Sequence, residues 1–137
     1  MTEIQNYVDR IVDWNVRTGQ MVDDEQERQT AWETRHSYRD LTKRIFLEEV
    51  NEVLDAPPTD DVELLDGIAD VFFTLIGLAG KAGLDKYVAP VIDEVIRSNE
   101  SKLDGEPVFR ADGKLLKGEF YFPPDIPSVM QQVDQNV

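Results

Sequence analysis

The segment FLEEVNEVLDAPPTDDVELLDGIADVFF, residues 46–73, indicates both the fold and the chemistry expected of this chain. Two helical patterns rich in apolar residues flank Pro57 and Pro58, which cannot continue a backbone hydrogen-bond ladder. The segment therefore predicts two helices joined by a short connection. It also holds nine carboxylates, and no Lys or Arg occurs from residue 45 to residue 80. Because acidic helix faces usually alternate with basic residues, something else must neutralise these acids.

Helical periodicity extends outward from this segment to most of the chain, and no alternating run before about residue 102 is long enough to compete as a strand. The predicted helices span about residues 3–19, 27–55, 60–83 and 85–102. We expect VFRADGKLL to form a small hairpin around Asp112 and Gly113, and the final QQVDQNV to be loose. The sequence thus predicts one all-α domain, with a four-helix core over about residues 2–102 and a C-terminal loop and hairpin tail over about residues 103–137.

The composition limits the classes of partner. A net charge of −14 opposes binding to nucleic acid, which depends on dense patches of Lys and Arg. There is no cysteine, so disulfides, thiolate metal sites and thiol nucleophiles are excluded. No stretch approaches the roughly 18 apolar residues that a membrane span requires, and the amino terminus lacks a signal-peptide pattern. We therefore expect a cytoplasmic protein that binds neither membranes nor nucleic acid.

The acids of the central segment fall into two arcs, one on each of its helices. The arcs consist of Glu48, Glu49 and Glu52 on the first of these helices, and of Glu63, Asp66 and Asp70 on the second. Apolar residues flank both arcs, so we expect the acids to lie at the seam between the packed helices. Burying even one unpaired carboxylate costs several kcal/mol, and a bound metal ion would remove that cost. Oxygen ligands, with no Cys and a single His in the chain, favour Mg²⁺, with Mn²⁺ as a substitute.

Other interpretations of these residues remain open at this stage. An isolated EExxE pattern is commonly a solvated surface, and Arg44, one turn before Glu48, could pair with it. Asn99 and Lys102 continue an apolar stripe and could contact phosphates, although polar residues at a helix end are commonly caps or dipole partners. Trp14 is expected in the core. The alternative function is a non-catalytic acidic helical bundle that binds a basic protein partner or mimics nucleic acid. Such a bundle would need its acidic side chains on the outer surface.

A longer succession of motifs resembles a known family. EEVNE, ADVFF, GLAGKAGLD, VIRSNESKLDG and ADGKLLKGEFYFPPDI follow one another over roughly residues 38–126. In this order they resemble the all-α nucleoside triphosphate pyrophosphohydrolases, most closely the MazG-like branch, which is related to dimeric dUTPases and phosphoribosyl-ATP pyrophosphohydrolases. The resemblance implies Mg²⁺-dependent hydrolysis of a nucleoside triphosphate, preferably a deoxynucleotide, to the monophosphate and pyrophosphate in nucleotide-pool control. It also implies a homodimer or a dimer of dimers.

The resemblance also implies roles for individual residues. Glu49, Glu52 and Asp70 match metal ligands, and Glu48 and Glu49 are assigned to catalysis, Glu48 by binding a second ion or positioning the attacking water. The residues implied in substrate binding are Trp14, Asn15, Asn99, Lys102 and Lys114. One departure concerns Gly67, which stands where the family often has a Glu. Activity then requires Asp66 to turn inward as a replacement metal ligand.

Overall fold

The computed structural model describes residues 2–136, and its regular structure is helical, as predicted. Within this range the six α-helices are α1 (Glu3–Arg17), α2 (Glu25–Thr34), α3 (His36–Asp55), α4 (Asp61–Lys81), α5 (Val88–Glu100) and α6 (Ile126–Gln135). The chain divides into two compact units, one up to Lys86 with α1 to α4 and one from Tyr87 onward with α5 and α6. None of the helices described is long and apolar enough to cross a membrane.

Helix α1 begins where the sequence predicted. The Thr2 hydroxyl caps it by accepting a hydrogen bond from the Gln5 backbone N–H at 3.1 Å, which satisfies one of the donors that a helix start leaves free. Its buried face carries Val8, Ile11 and Asn15. This face packs on α4, where Gly80 allows Val12 and Met21 to approach closely.

The single helix predicted over residues 27–55 is wrong, because α2 and α3 are separate helices. The backbone is extended at Arg35, with φ −109° and ψ 95°. Residues 33–37 are all exposed, so no buried stripe holds the chain straight through this region. The Arg39 guanidinium donates to the Trp32 carbonyl at 2.7 Å, and thereby satisfies an acceptor near the end of α2.

Helices α3 and α4 form the antiparallel pair that the central segment predicted. The Asp60 carboxylate caps α4 by accepting from the Glu63 backbone N–H at 3.0 Å. Near the connection, Gly67 of α4 lies against Val53 of α3, and a Cβ at Gly67 would come within 2.9 Å of the Val53 side chain. Glycine at position 67 thus allows the close approach of the two helices. Helix α4 ends at Lys81, and Gly83, two residues later, lies in the left-handed region with φ +73°.

The second unit contains α5, α6 and the segment between them. The Ser98 hydroxyl donates to the Phe122 carbonyl at 2.8 Å, and the buried Glu94 carboxylate accepts from the Asp125 backbone N–H at 2.8 Å. These bonds tie the segment to α5. The predicted hairpin is confirmed as one isolated antiparallel bridge between Phe109 and Leu115.

The loose C-terminus predicted for QQVDQNV is wrong for the residues the structure describes, and Val137 lies outside them. Helix α6 extends to Gln135 and is capped by Asp125, which accepts from the Ser128 backbone N–H at 3.2 Å. Its apolar positions recur at helical spacing, at Ile126, Val129, Met130 and Val133. This short pattern and its cap are the sequence signals that the prediction missed.

Candidate metal centre and adjoining pocket

Three carboxylates converge between α3 and α4. Glu49 and Glu52 of α3 and Asp70 of α4 each offer one oxygen, and these oxygens lie within 4.8 Å of one another. The antiparallel packing accounts for this geometry, because the Gly67 contact with Val53 sets the two helices close together one turn away from the cluster. The structure thus brings together the three residues that the resemblance matched to metal ligands.

The electrostatics of this cluster are unfavourable in the absence of a cation. The Glu49 Oε2 atom is shielded from solvent and has no hydrogen-bond partner among residues 2–136. Burial, reinforced by the charges of Glu52, Asp70 and Glu48, raises the pKa of the Glu49 carboxyl above its usual value. Within the described chain no Lys or Arg forms an ion pair with these acids, so the pairing of Arg44 with Glu48 is not observed. An all-oxygen donor set with a buried, unpartnered oxygen fits a hard divalent cation.

The remaining acids of the two arcs do not join this cluster. Glu48, Glu63 and Asp66 are exposed, as is Glu52 within the cluster, so exposure alone does not decide whether these three residues face the helix seam. The first half of α4 is covered on few sides, since its apolar residues Val62 and Leu65 are exposed as well. The roles of Glu48 in catalysis and of Asp66 in metal binding stay predictions.

A cavity of about 210 Å³ adjoins the carboxylates along the same helix pair. Ile45, one turn before Glu49, and Thr74, one turn after Asp70, both line it. Its other lining residues are Trp14, Asn15, Gln20, Thr42, Phe73, Gly77, Leu78 and Lys81. The first unit therefore presents a cluster of acids beside a pocket with both aromatic and polar walls.

Trp14 and Asn15 both line this pocket, although in different environments. Trp14 was expected in the core but is 44% exposed, and its ring packs edge to face on Phe73 with centroids 5.0 Å apart. Asn15 is buried, and its Nδ2 donates to the Ile11 carbonyl at 2.9 Å. Gly77 faces the Asn15 amide, since a Cβ there would lie 3.7 Å from Nδ2.

Lys81, which ends α4 and lines the pocket, is not among the site residues predicted from the sequence. Only 8% of this residue is exposed, and burial lowers the pKa of its ammonium. A signal was present, because Lys81 is the first base after the long base-free stretch and lies one turn after Gly77. A lysine in the apolar half of a helix is itself an indication of a special environment.

The other predicted substrate contacts belong to the second unit. The Lys102 ammonium donates to the Asn99 side-chain oxygen at 3.1 Å, and the Asn99 Nδ2 donates to the Val95 carbonyl at 2.9 Å. Lys114 is exposed in the small hairpin, where its carbonyl accepts from the Arg110 backbone N–H. Asn99 and Lys102 thus form one polar pair, and the substrate roles of all three residues stay predictions.

Comparison with known proteins gives a family for this geometry. No match is found among curated proteins. The model of one family, described as phosphoribosyl-ATP pyrophosphohydrolase, matches residues 18–99, a range that includes the whole of α3 and α4. Because this match spans more than half of the sequence, the chain belongs to the phosphoribosyl-ATP pyrophosphohydrolase family, within the MazG-like all-α nucleoside triphosphate pyrophosphohydrolases.

Proposed function

We propose that this protein is a Mg²⁺-dependent pyrophosphohydrolase that converts a nucleoside or deoxynucleoside triphosphate and water into the monophosphate and pyrophosphate, in control of the nucleotide pool. Family membership implies a nucleotide pyrophosphohydrolase-type activity, and the triphosphate substrate and the metal are what the proposal adds. The observation that carries it is the convergence of Glu49, Glu52 and Asp70 without a basic partner in the described chain, with one Glu49 oxygen buried and unsatisfied.

The metal ligands in this proposal are Glu49, Glu52 and Asp70, with Asp66 as a fourth carboxylate one turn before Asp70. Mg²⁺, or Mn²⁺ in its place, supplies positive charge that attracts the triphosphate to an acidic surface and polarises the scissile phosphate. Glu48 and Glu49 are neighbours on α3, and their carboxylates can accept hydrogen bonds from the attacking water and orient it. This division of roles uses only groups that α3 and α4 present.

The adjoining pocket is proposed to hold the base and sugar. It lies one helical turn from the carboxylates on each helix, so a nucleotide with its phosphates at the metal can extend into it. Its volume of about 210 Å³ lies below the roughly 300–1,000 Å³ of pockets for larger ligands, and suits a fragment such as one heterocycle. Trp14 supplies an aromatic wall and Asn15 a buried amide. Asn99, Lys102 and Lys114 are proposed as phosphate contacts on the strength of their motifs.

The protein is further proposed to assemble as a homodimer or a dimer of dimers. Large apolar side chains are exposed near the α3–α4 connection, among them Leu54, Val62 and Leu65. Exposed apolar side chains near one connection are the kind of surface that a protein interface would cover. A second copy of the chain is the partner that the family resemblance implies, and the oligomeric state is measured directly by light scattering after gel filtration.

The function is tested by product analysis. The protein is incubated with a panel of ribo- and deoxyribonucleoside triphosphates and Mg²⁺, and the products are separated by anion exchange. We expect monophosphate and pyrophosphate, and no reaction in the presence of a chelator. Glu49→Gln should lower turnover by about 100- to 1,000-fold, whereas Glu33→Gln, an exposed site on α2, should leave it unchanged. Release of orthophosphate would overturn the proposed position of bond cleavage, and no turnover of any nucleotide would favour the non-catalytic acidic bundle.

A further inference from the structure

The Lys81 side chain is largely buried, and within residues 2–136 its ammonium has no polar protein partner, although the ammonium itself is not sealed from solvent. Its residue is 8% exposed, and its ammonium lies 6.0 Å from the centroid of the Tyr38 ring. Across residues 2–136 this ammonium makes neither a hydrogen bond nor an ion pair. A weak contact with an aromatic face does not replace the hydrogen bonds that an ammonium makes in water. Partial burial of the side chain lowers the pKa of the Lys81 ammonium.

Arg28, the other buried base of the first unit, shows what a structural cation looks like in this protein. Its guanidinium donates to the carbonyls of Gly80, Val22 and Asp23 at 2.7–2.9 Å, and to the Asp85 carboxylate at 3.1 Å. Arg28 therefore joins the segments around it and uses four of its five N–H donors in doing so. Lys81 lies close by in the sequence, next to Gly80, but joins nothing through its ammonium. A role in holding the fold does not explain it.

The position of Lys81 indicates which part of a ligand it would meet. It lines the same cavity as Asn15 and Trp14. Eleven residues separate it from Asp70, about 16 Å along α4, so it lies at the far end of the pocket from the carboxylates. A nucleotide with its phosphates at the acids would therefore present the edge of its base to Lys81, and not a phosphate.

We propose that Lys81 is a specificity-determining residue, whose ammonium donates a hydrogen bond to a carbonyl oxygen on the edge of a nucleobase in this cavity. The inference rests on the proposed function in taking the ligand to be a nucleotide. An ammonium has three donors and no acceptor, so it accommodates a keto oxygen and leaves an amino group at the same place unsatisfied. The enzyme therefore selects bases with a keto edge, such as hypoxanthine, guanine, uracil or thymine, over adenine.

The test uses nucleosides that carry no phosphate, so that it does not depend on metal binding or hydrolysis. Deoxyinosine and deoxyadenosine differ by a keto oxygen against an amino group on the same ring. Their affinities are measured by isothermal titration calorimetry in chelator, for the wild type, for Lys81→Met and for the control Lys43→Met, an exposed site on α3. We expect the wild type and the control to bind deoxyinosine about tenfold or more tightly. In Lys81→Met the ratio should fall towards one.

Each result decides between the two proposals. Equal affinities in the wild type, or no binding of either nucleoside, overturn the role of Lys81 without any need for a variant. A preference that persists in a Lys81→Met protein, shown to be folded by circular dichroism, overturns it as well. If the keto preference is found and is lost in Lys81→Met but no triphosphate is hydrolysed, the proposed function fails and the assignment of Lys81 stands. If triphosphates are hydrolysed but no keto preference is found, the proposed function stands and the assignment of Lys81 fails.

Discussion

The two halves of α4 both carry apolar residues at helical spacing but have opposite surroundings, and all four acids of the helix lie in the first half. In the second half, Ile76 is 1% exposed, and Gly77 and Gly80 are buried against α1. In the first half, Leu65 is 65% and Ile68 49% exposed. The difference arises because α1, α2 and α3 all contact α4, and the contacts identified from α1 lie at residue 72 and beyond. An apolar pattern therefore predicts a helix, while its burial depends on which neighbours reach it.

The candidate site lies at the boundary between these halves. Asp70 is only partly buried, and its partner Glu49 on α3 has one oxygen sealed from solvent. Carboxylates deeper in the covered half would suffer a larger desolvation cost, and carboxylates in the open half would be fully hydrated. At the boundary the acids keep their affinity for a cation and remain accessible to a substrate. The contrast between the halves of α4 is thus linked directly to the proposed chemistry.

The largest effect expected from this contrast is on stability. Ile76→Ala should lower the free energy of unfolding by about 2–5 kcal/mol, because it leaves a cavity in the fully covered half. The matched change Ile68→Ala should cost less than about 1 kcal/mol, since Ile68 is already half exposed. Urea denaturation at low protein concentration, which limits self-association, measures both. Equal losses would show that the two halves are equally covered in solution.

The end of the covered half offers a second test. Gly83 has φ +73°, and an added Cβ would lie 2.8 Å from the Glu25 carbonyl oxygen. Gly83→Ala should therefore cost about 2–4 kcal/mol of unfolding free energy, from the left-handed backbone and from overpacking against α2. Gly19 is the matched control, with φ +78° and no atom within 4 Å of its added Cβ. Gly19→Ala should cost only the backbone strain, about 1 kcal/mol, and a similar loss at both sites would argue against close packing of Gly83 on α2.

These contrasts show how far the sequence alone could predict the molecule. Local signals predicted the helix starts at Thr2 and Asp60 and the break at Pro57, because a cap or a proline acts within a few residues. The break at Arg35 was missed because it depends on a tertiary bond from Arg39 and on the lack of a buried stripe. Local periodicity could equally have predicted α6, whose short pattern was overlooked.

The site could be predicted only in part, for a related reason. Helical spacing placed Glu49, Glu52 and Asp70 on facing arcs, and the structure brings these three together. The same spacing also placed Asp66 on the inner arc, but the structure does not bring it into the cluster, since an arc of about 100° is wider than the strip over which the two helices meet. Lys81 was missed because burial of a charge depends on neighbours distant in sequence. Periodicity gives the direction of a side chain and not the depth at which it lies.

The pH dependence of the metal-free protein gives a smaller effect. Burial and the neighbouring acids raise the pKa of Glu49, so the folded state favours its protonated form. That stabilisation is complete below the unfolded pKa of about 4.3 and is lost as the pH rises through the raised folded pKa. In chelator, Glu49→Gln should therefore be more stable than the wild type near neutral pH, by less than about 1 kcal/mol, with no difference in mild acid. Thermal denaturation from pH 4 to pH 8 measures the difference.

Saturating Mg²⁺ serves as the control for this pH experiment. The ion should stabilise the wild type near neutral pH and have little effect on Glu49→Gln, because the variant lacks one ligand charge. A Glu49→Gln protein that is less stable than the wild type at neutral pH would show that the carboxylate has a favourable partner in solution. The cluster would then not need a cation to offset its charge.

The smallest effect concerns the acids of the open half of α4. Asp66 lies one turn before Asp70, where Cβ atoms are about 5–6 Å apart, whereas Glu63 lies two turns before it, about 10.5 Å along the axis. Both side chains are exposed, so solvent screens their attraction for a cation at the cluster. We expect Asp66→Asn to weaken Mg²⁺ binding about two- to threefold, roughly 0.5 kcal/mol, and Glu63→Gln to leave it unchanged. Calorimetric titration of the metal measures both, with Asp70→Asn as the reference for a large loss. If Glu63→Gln were the more damaging of the two, the ion would have to lie nearer the start of α4 than the cluster of Glu49, Glu52 and Asp70 places it.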